Sequence, residues 1–283
     1  MDPEQADREH CLDAALVDCG PASPAAGAPR RPGRSWPAGQ RYLRPAAGVR
    51  LADVAGEVVV LDLASDRYLA LGPFASTVLL DLLGAARPCQ DGAEQAALEP
   101  AVLAGLLDCA DLPGEPIQLP SCAEPGGLSS RARATGAPTR AARLATLPRA
   151  VATIRGCDRV LRTGGLAGLL DRLRAAAHAP IRRPAVGGPA RLAELAASHQ
   201  RAWQWAGRPH RFDTAAAALA LDAWRAGLGT QVVLGVQKYP FHAQLYVRAA
   251  GGVVGGPAEL ATRLAPLLAV GNEPERPAQV PTP

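Results

Sequence analysis

The alternation of apolar and polar positions predicts strands in the first part of the chain. Residues 49–54, 57–63 and 67–71 are short runs rich in Val and Leu, separated by turn-forming sequence. Such runs are typical of a sheet built from hairpins. Upstream, residues 11–17 indicate a short helix.

The apolar spacing changes to a helical period after the third predicted strand. Pro73 suits the first turn of a helix, and residues 74–83 carry an apolar stripe of the kind that packs on a core. Two further helices are predicted over residues 90–98 and 100–109. Three strands followed by three helices predict a small winged-helix module over residues 41–119.

The second half is predicted to be helical and then to return to strands. Helices are expected over residues 140–161 with a bend near Pro148, over 166–177 after Gly164-Gly165, and over 189–205 and 215–226.

Two strands close this pattern. Residues 232–236 form an apolar run, Tyr239-Pro240 interrupts it, and residues 242–247 alternate. His242 and Gln244 therefore share one face of the second strand. The expected fold class is α+β.

Composition sets the domain boundaries. Residues 1–40 are rich in Ala, Pro, Gly and Arg and are expected to be disordered, because they cannot bury enough apolar surface. Residues 120–139 have the composition of a linker, and 271–283 form a Pro-containing tail that is expected to be loose. Two compact domains remain, 41–119 and 140–270.

The net charge of +4 conceals an uneven distribution. Residues 51–120 contain eleven Asp or Glu and two Arg, a net of −9, whereas residues 121–283 carry a net of +12. A winged-helix regulator that binds DNA is one interpretation of the first domain. Its negative charge argues against it, because contacts to phosphates need Lys or Arg.

The cysteines and the chain start argue for a reduced compartment. Six cysteines stand at positions 11, 19, 89, 109, 122 and 157. None forms a C-x-x-C pair or lies beside a His at ligand spacing, so a structural zinc or other cofactor is not expected. The start MDPEQADREH has no signal-peptide core, and no apolar run reaches membrane-spanning length. A cytoplasmic location with no membrane partner is predicted.

The text VVVLDLASDRYLALGPFASTVLLDLL resembles the PqqD-like recognition element of enzymes that mature ribosomal peptides. The resemblance implies that a precursor's leader peptide adds as an extra strand along the third strand and packs against the third helix. Such strand addition takes affinity from backbone hydrogen bonds and register from apolar pockets. The residues thereby assigned to leader-peptide binding are Arg67, Tyr68, Leu69, Ala70, Val102, Leu103, Leu106 and Leu107.

Residues 144–270 resemble the leader peptidase of lasso-peptide biosynthesis, a transglutaminase-like or papain-like cysteine peptidase often fused behind the recognition element. The matching segments are VLRTGGLAGLLDRL, AWRAGLG, VVLGV, PFHAQLYV, GGVV and LAPLLAVG. The resemblance implies a nucleophilic Cys at the start of the helix before Gly227, a His on the second strand and an Asp after the next turn.

The three catalytic positions of that family carry other residues in this chain. The Cys position falls within Phe212-Asp213-Thr214, with Asp213 as the best match, the His position on Gln244 and the Asp position on Gly255 or Gly256. A cysteine peptidase needs a thiolate and a base that generates it. We therefore expect no catalytic residues and no cysteine-peptidase activity. Asp213 suits a helix N-cap instead.

Relocated catalytic groups are the alternative. His242 could replace the base two residues before Gln244, His210 could pair with Asp213, and Cys157 lies near Arg residues that lower a thiol pKa. These groups would support an active leader peptidase or acyl transferase.

The leading interpretation is a carrier or scaffold for lasso-peptide maturation. The expected partners are the precursor leader peptide, an asparagine-synthetase-like lasso cyclase and a separate active peptidase.

Overall fold

The protein is described by a computed structural model that covers residues 16–18, 36, 39, 41–121, 140–179, 188–205, 213–249 and 252–271. Its class is α+β, as predicted. Most of the predicted N-terminal disordered segment, the linker from residue 122 onwards and the tail after Gly271 lie outside the described residues. Within the described chain, no helix is long and apolar enough to cross a membrane.

The chain divides into two compact units. The first comprises Met1–Ala123 together with Val236–Ala243 and Leu264–Leu267, and the second comprises the remainder.

The first unit contains a four-stranded sheet and a two-stranded sheet. Its strands are β1 (Leu16–Asp18), β2 (Tyr42–Pro45), β3 (Val49–Val54), β4 (Glu57–Asp62), β5 (Arg67–Leu71) and β6 (Leu107–Ala110). The larger sheet has the antiparallel order β1-β5-β4-β3, and β2 pairs with β6. The three predicted strands are confirmed as β3, β4 and β5. The short helix expected over residues 11–17 is wrong in its last two residues, which belong to β1.

Two helices pack against the sheet core, α1 (Pro73–Gly84) and α2 (Gly92–Leu103). α1 begins at Pro73, as predicted. Asp91 caps α2 by accepting a hydrogen bond from the Glu94 N–H, which satisfies one of the free donors of the first turn. Both helices bury their apolar stripes in one cluster with β3, β4 and β5.

The prediction of three helices is wrong, because one helix covers the region assigned to two. Pro100 removes only its own N–H from the ladder, and Ala104 still donates to the Pro100 carbonyl, so α2 continues past it. The helix ends at Leu103 with Ala104 as its C-cap, and Gly105 follows with a φ of 69°, which suits the left-handed residue after a helix. Leu106 N–H and Gly105 N–H then bond the carbonyls of Ala101 and Val102. The chain leaves as strand β6.

The second unit is built on three helices, α3 (Arg140–Ala177), α4 (Gly188–Trp205) and α5 (Asp213–Arg225). The predicted break at Gly164-Gly165 is confirmed, since Gly165 has φ 62° inside α3. Pro148 lies inside the same helix. Buried leucines of α3 and α5, among them Leu169, Leu173 and Leu221, supply the core.

A second four-stranded sheet follows α5, with the order β10-β7-β8-β9. Its elements are β7 (Gln231–Gln237), β8 (His242–Ala249), β9 (Gly252–Val254), the short helix α6 (Leu260–Arg263) and β10 (Ala265–Gly271). As predicted, Tyr239-Pro240 separates β7 from β8. The indole N–H of Trp224 donates to the Thr230 carbonyl at 2.9 Å and fixes the passage from α5 to β7.

Candidate functional site

The edge of β5 that was predicted to receive a peptide already carries a strand of the same chain. β1 pairs antiparallel with β5 in the register Leu16 with Leu71, Val17 with Ala70 and Asp18 with Leu69. The backbone of β5 is therefore able to extend its sheet by one strand on this side.

The four predicted β5 residues differ in exposure. Arg67 is exposed and Tyr68 half-buried, whereas Leu69 and Ala70 are buried. The Tyr68 ring packs on Phe241, a member of the same unit, with ring centroids 5.3 Å apart and an angle of 57° between the planes. Affinity for a peptide along β5 must therefore come mainly from its backbone and from the side chains at the Arg67 end.

The residues predicted to face β5 from the third helix are mostly core. Val102, Leu106 and Leu107 are 1–2% exposed, and only Val102 and Leu103 belong to a helix. Leu103, the last residue of α2, is 44% exposed. Of these four residues, Leu103 alone offers substantial apolar surface to a ligand.

The second unit contains a cavity of about 180 Å³ that is lined by residues of α4, α5, β8 and β9. Gln244 of β8, and Gly255 and Gly256 after β9, line it. These are the positions to which the resemblance assigned the family's His and Asp. The α5 residues in its wall are Ala215 and Ala216, and Thr214 is fully buried. The side chain of Asp213, and the whole of Phe212, lie outside the described residues.

The described side chains that form the wall include no Ser, Thr or Cys. At the positions to which the resemblance assigned the family's His and Asp, they supply an amide and glycine, neither of which attacks a peptide carbonyl or accepts a proton at neutral pH.

His199 of α4 enters the same cavity and was not among the predicted site residues. Its Nε2 lies 3.1 Å from Oδ2 of Asp222 on α5, and both side chains are 3% exposed. Its Nδ1 is buried without a hydrogen-bond partner in the described structure. The bond to Asp222 fixes the orientation of the ring and sets the role of each ring nitrogen.

Asp222 is the charged centre of this part of the unit. Besides His199, it accepts hydrogen bonds from Thr153 Oγ1 at 3.3 Å, Arg225 at 2.9 Å and Arg149 at 3.4 Å. Burial by itself raises the pKa of a carboxyl group, yet the hydrogen bond and charge of His199, followed by Arg225 and Arg149, hold the pKa of Asp222 below its ordinary value. The carboxylate is therefore ionised at neutral pH.

Of the other predicted catalytic candidates, the two that the structure describes do not line the cavity. His242 begins β8 but belongs to the first unit and does not line the cavity. His210 lies outside the described residues. Cys157 is fully buried, and burial raises the pKa of its thiol to about 11, which nearby Arg172 and Arg225 only partly offset. The alternative in which nearby Arg residues activate this thiol is wrong, because desolvation outweighs the effect of the cations around it.

Comparison with known proteins finds no match to this chain among family models, curated proteins or solved structures.

Proposed function

We propose that this chain is a non-catalytic lasso-peptide maturation protein that binds a precursor's leader peptide by strand addition along β5. The proposal takes the first unit as a PqqD-like, winged-helix-related recognition domain and the second as a transglutaminase-like domain. The observation that carries it is the β1–β5 pairing, because it supports an edge of β5 that is competent to bind an extended segment.

The described residues of the cavity support the non-catalytic part of the proposal. Hydrolysis through a thioester needs a thiolate beside a base, and the buried Cys157 is a neutral thiol at physiological pH. In this proposal the chain binds the peptide and presents it to other enzymes. An asparagine-synthetase-like cyclase and a separate active peptidase are the proposed partners.

A titration tests the binding function. The probe is a synthetic peptide with the leader sequence of a lasso-peptide precursor, and isothermal titration calorimetry measures its Kd for the full chain. Leu103→Ala is expected to weaken binding about tenfold, which corresponds to ~1.4 kcal/mol, because Leu103 offers apolar surface beside the core of the module.

Leu112→Ala is the matched control for that titration. Leu112 is 72% exposed in the same unit but is neither on α2 nor on β5, so its truncation should leave the Kd unchanged. No binding by the unaltered chain at high micromolar peptide contradicts the proposal. An equal loss in both variants contradicts the assignment of Leu103.

The unsatisfied Nδ1 of His199 favours a second candidate, a hydrolase in which this nitrogen takes a proton from an attacking water. Asp222 would orient the ring, as a carboxylate does for a general base. The leading proposal expects the full-length precursor to keep its intact mass after incubation with the chain, measured by mass spectrometry.

Cleavage at the leader–core junction would reverse that choice, and substitutions then identify the base. Loss of cleavage in His199→Ala with retention in His242→Ala assigns the reaction to the cavity. The opposite result assigns it to the relocated site predicted from the sequence.

A further inference from the structure

We propose that residues Leu16–Asp18 are a built-in competitor for the peptide-binding edge, so that the chain controls access to its own β5. The inference deepens the proposed function and rests on it for the identity of the incoming peptide. The occupant itself is given by the structure, since β1 pairs with β5 over Leu69–Leu71 within one compact unit.

An incoming peptide would bind the backbone groups of β5 that β1 occupies. The described pairing of β1 covers Leu69–Leu71, the last three residues of β5. Each net hydrogen bond contributes only about 0.5–1.5 kcal/mol, so a peptide strand that forms more backbone hydrogen bonds than β1 displaces it.

β1 is short, but its covalent connection to the first unit makes it an effective competitor. Residues 19–35, seventeen in number, join Asp18 to Trp36, whose ring packs against the core of the first unit. A connection of this length gives a tethered segment an effective concentration on the order of 1 mM. If the free segment binds with a Kd of about 100 μM, the edge is open in about one molecule in eleven, and the apparent affinity for any peptide falls about tenfold.

The test supplies β1 as a separate molecule. The probe is a fluorescent synthetic peptide of residues 10–22 with both cysteines replaced by Ser, and fluorescence anisotropy measures its binding to the full chain and to a chain lacking residues 1–22. The shortened chain is expected to bind at least tenfold more tightly than the full chain. The same peptide carrying Val17→Pro should not bind, because proline lacks the N–H that a strand needs.

A second variant guards against a shortened chain that does not fold. Val17→Pro in the full-length protein weakens β1 while every other residue is kept, and it is expected to bind the unaltered probe peptide more tightly than the parent chain. Binding of the probe equally to all three proteins, or to none of them, overturns the inference.

The precursor's leader peptide, titrated in parallel, separates this inference from the proposed function. If the probe prefers the shortened chain and the leader binds no form, the intramolecular pairing stands and the leader-binding function fails. If the leader binds the full and shortened chains equally, the function stands and the competition fails. Tighter leader binding to the shortened chain supports both.

Discussion

Replacing Asp222 with Ala lowers the free energy of unfolding by about 3–5 kcal/mol, the expected cost of removing one partner from a buried charged cluster. The substitution removes the carboxylate that accepts hydrogen bonds from Thr153, Arg149 and Arg225. It also leaves the buried His199 ring without its Nε2 partner. Urea denaturation followed by circular dichroism measures the change.

Asp171→Ala is the matched control for that measurement. Asp171 pairs with Arg174 on the surface of α3, and its side chain is 74% exposed. An exposed pair contributes about 0–1 kcal/mol, so the control should unfold close to the parent. A loss at Asp222 no larger than that at Asp171 would show that the buried cluster contributes nothing.

The contribution of Asp222 should also depend on pH in a defined direction. Its pKa is below the ordinary value in the folded chain, so the unfolded state binds its proton first as the pH falls. The stabilisation is fully present above the unfolded pKa of about 3.9 and is lost as the pH falls through the lower folded pKa. The difference in stability between parent and Asp222→Ala should therefore shrink below about pH 4; a constant difference there contradicts the assignment.

The second large effect is expected at Gly271, the last residue of β10. A Cβ at this position would lie against the Thr230 carbonyl oxygen and 2.6 Å from Gln231 Cα. Both neighbours are backbone atoms that cannot move aside as a flexible side chain does. Gly271→Ala should therefore destabilise the protein by about 1–3 kcal/mol, in the range of other overpacked substitutions, as measured by thermal and urea unfolding.

Gly229→Ala provides the comparison for Gly271. It removes a glycine two residues before β7 begins, but no atom lies within 4 Å of the added Cβ. Its effect should stay within about 0.5 kcal/mol, as for other substitutions away from tight contacts. Equal stability of the two variants would contradict this prediction, because the end of β10 would then accommodate the added Cβ with no loss in the free energy of unfolding.

Local patterns predicted the elements whose pairing is local. Strands β3, β4 and β5 follow one another through short turns, so their apolar runs were sufficient to place them. The prediction of a third helix is wrong because it takes Pro100 as a boundary. α2 instead continues to Leu103 and stops before the left-handed Gly105. β6 exists because it pairs with β2 more than sixty residues earlier in the chain, and no window of sequence contains that partner.

The strand β1 also depends on a partner that is too distant in sequence for a local pattern to include it. Residues 11–17 carry apolar and acidic spacing that favours a helix, yet residues Leu16–Asp18 pair with β5 about fifty residues away. Pairing with the edge of β5 determines the conformation of these residues, and their local helix propensity does not indicate that pairing.

The sequence analysis named three residues of the cavity wall but did not name His199. Gln244, Gly255 and Gly256 came from the resemblance, and they line the cavity. His199 was missed although it continues the buried face of α4 set by Leu195 and Ala196. A histidine in an apolar stripe, with an Asp in the Ala-rich stripe of the next helix, is a readable signal of a buried pair.

The other margin of the large sheet is covered as well. The Asp53 N–H of β3 donates to the Pro120 carbonyl at 3.0 Å, and Ser121 forms a parallel bridge to Asp53. With β1 along the opposite margin, segments from before and after the module cover both outer strands. Bare strand margins recruit other chains into growing aggregates, so the two flanking segments are expected to oppose edge-to-edge association at β5 and β3.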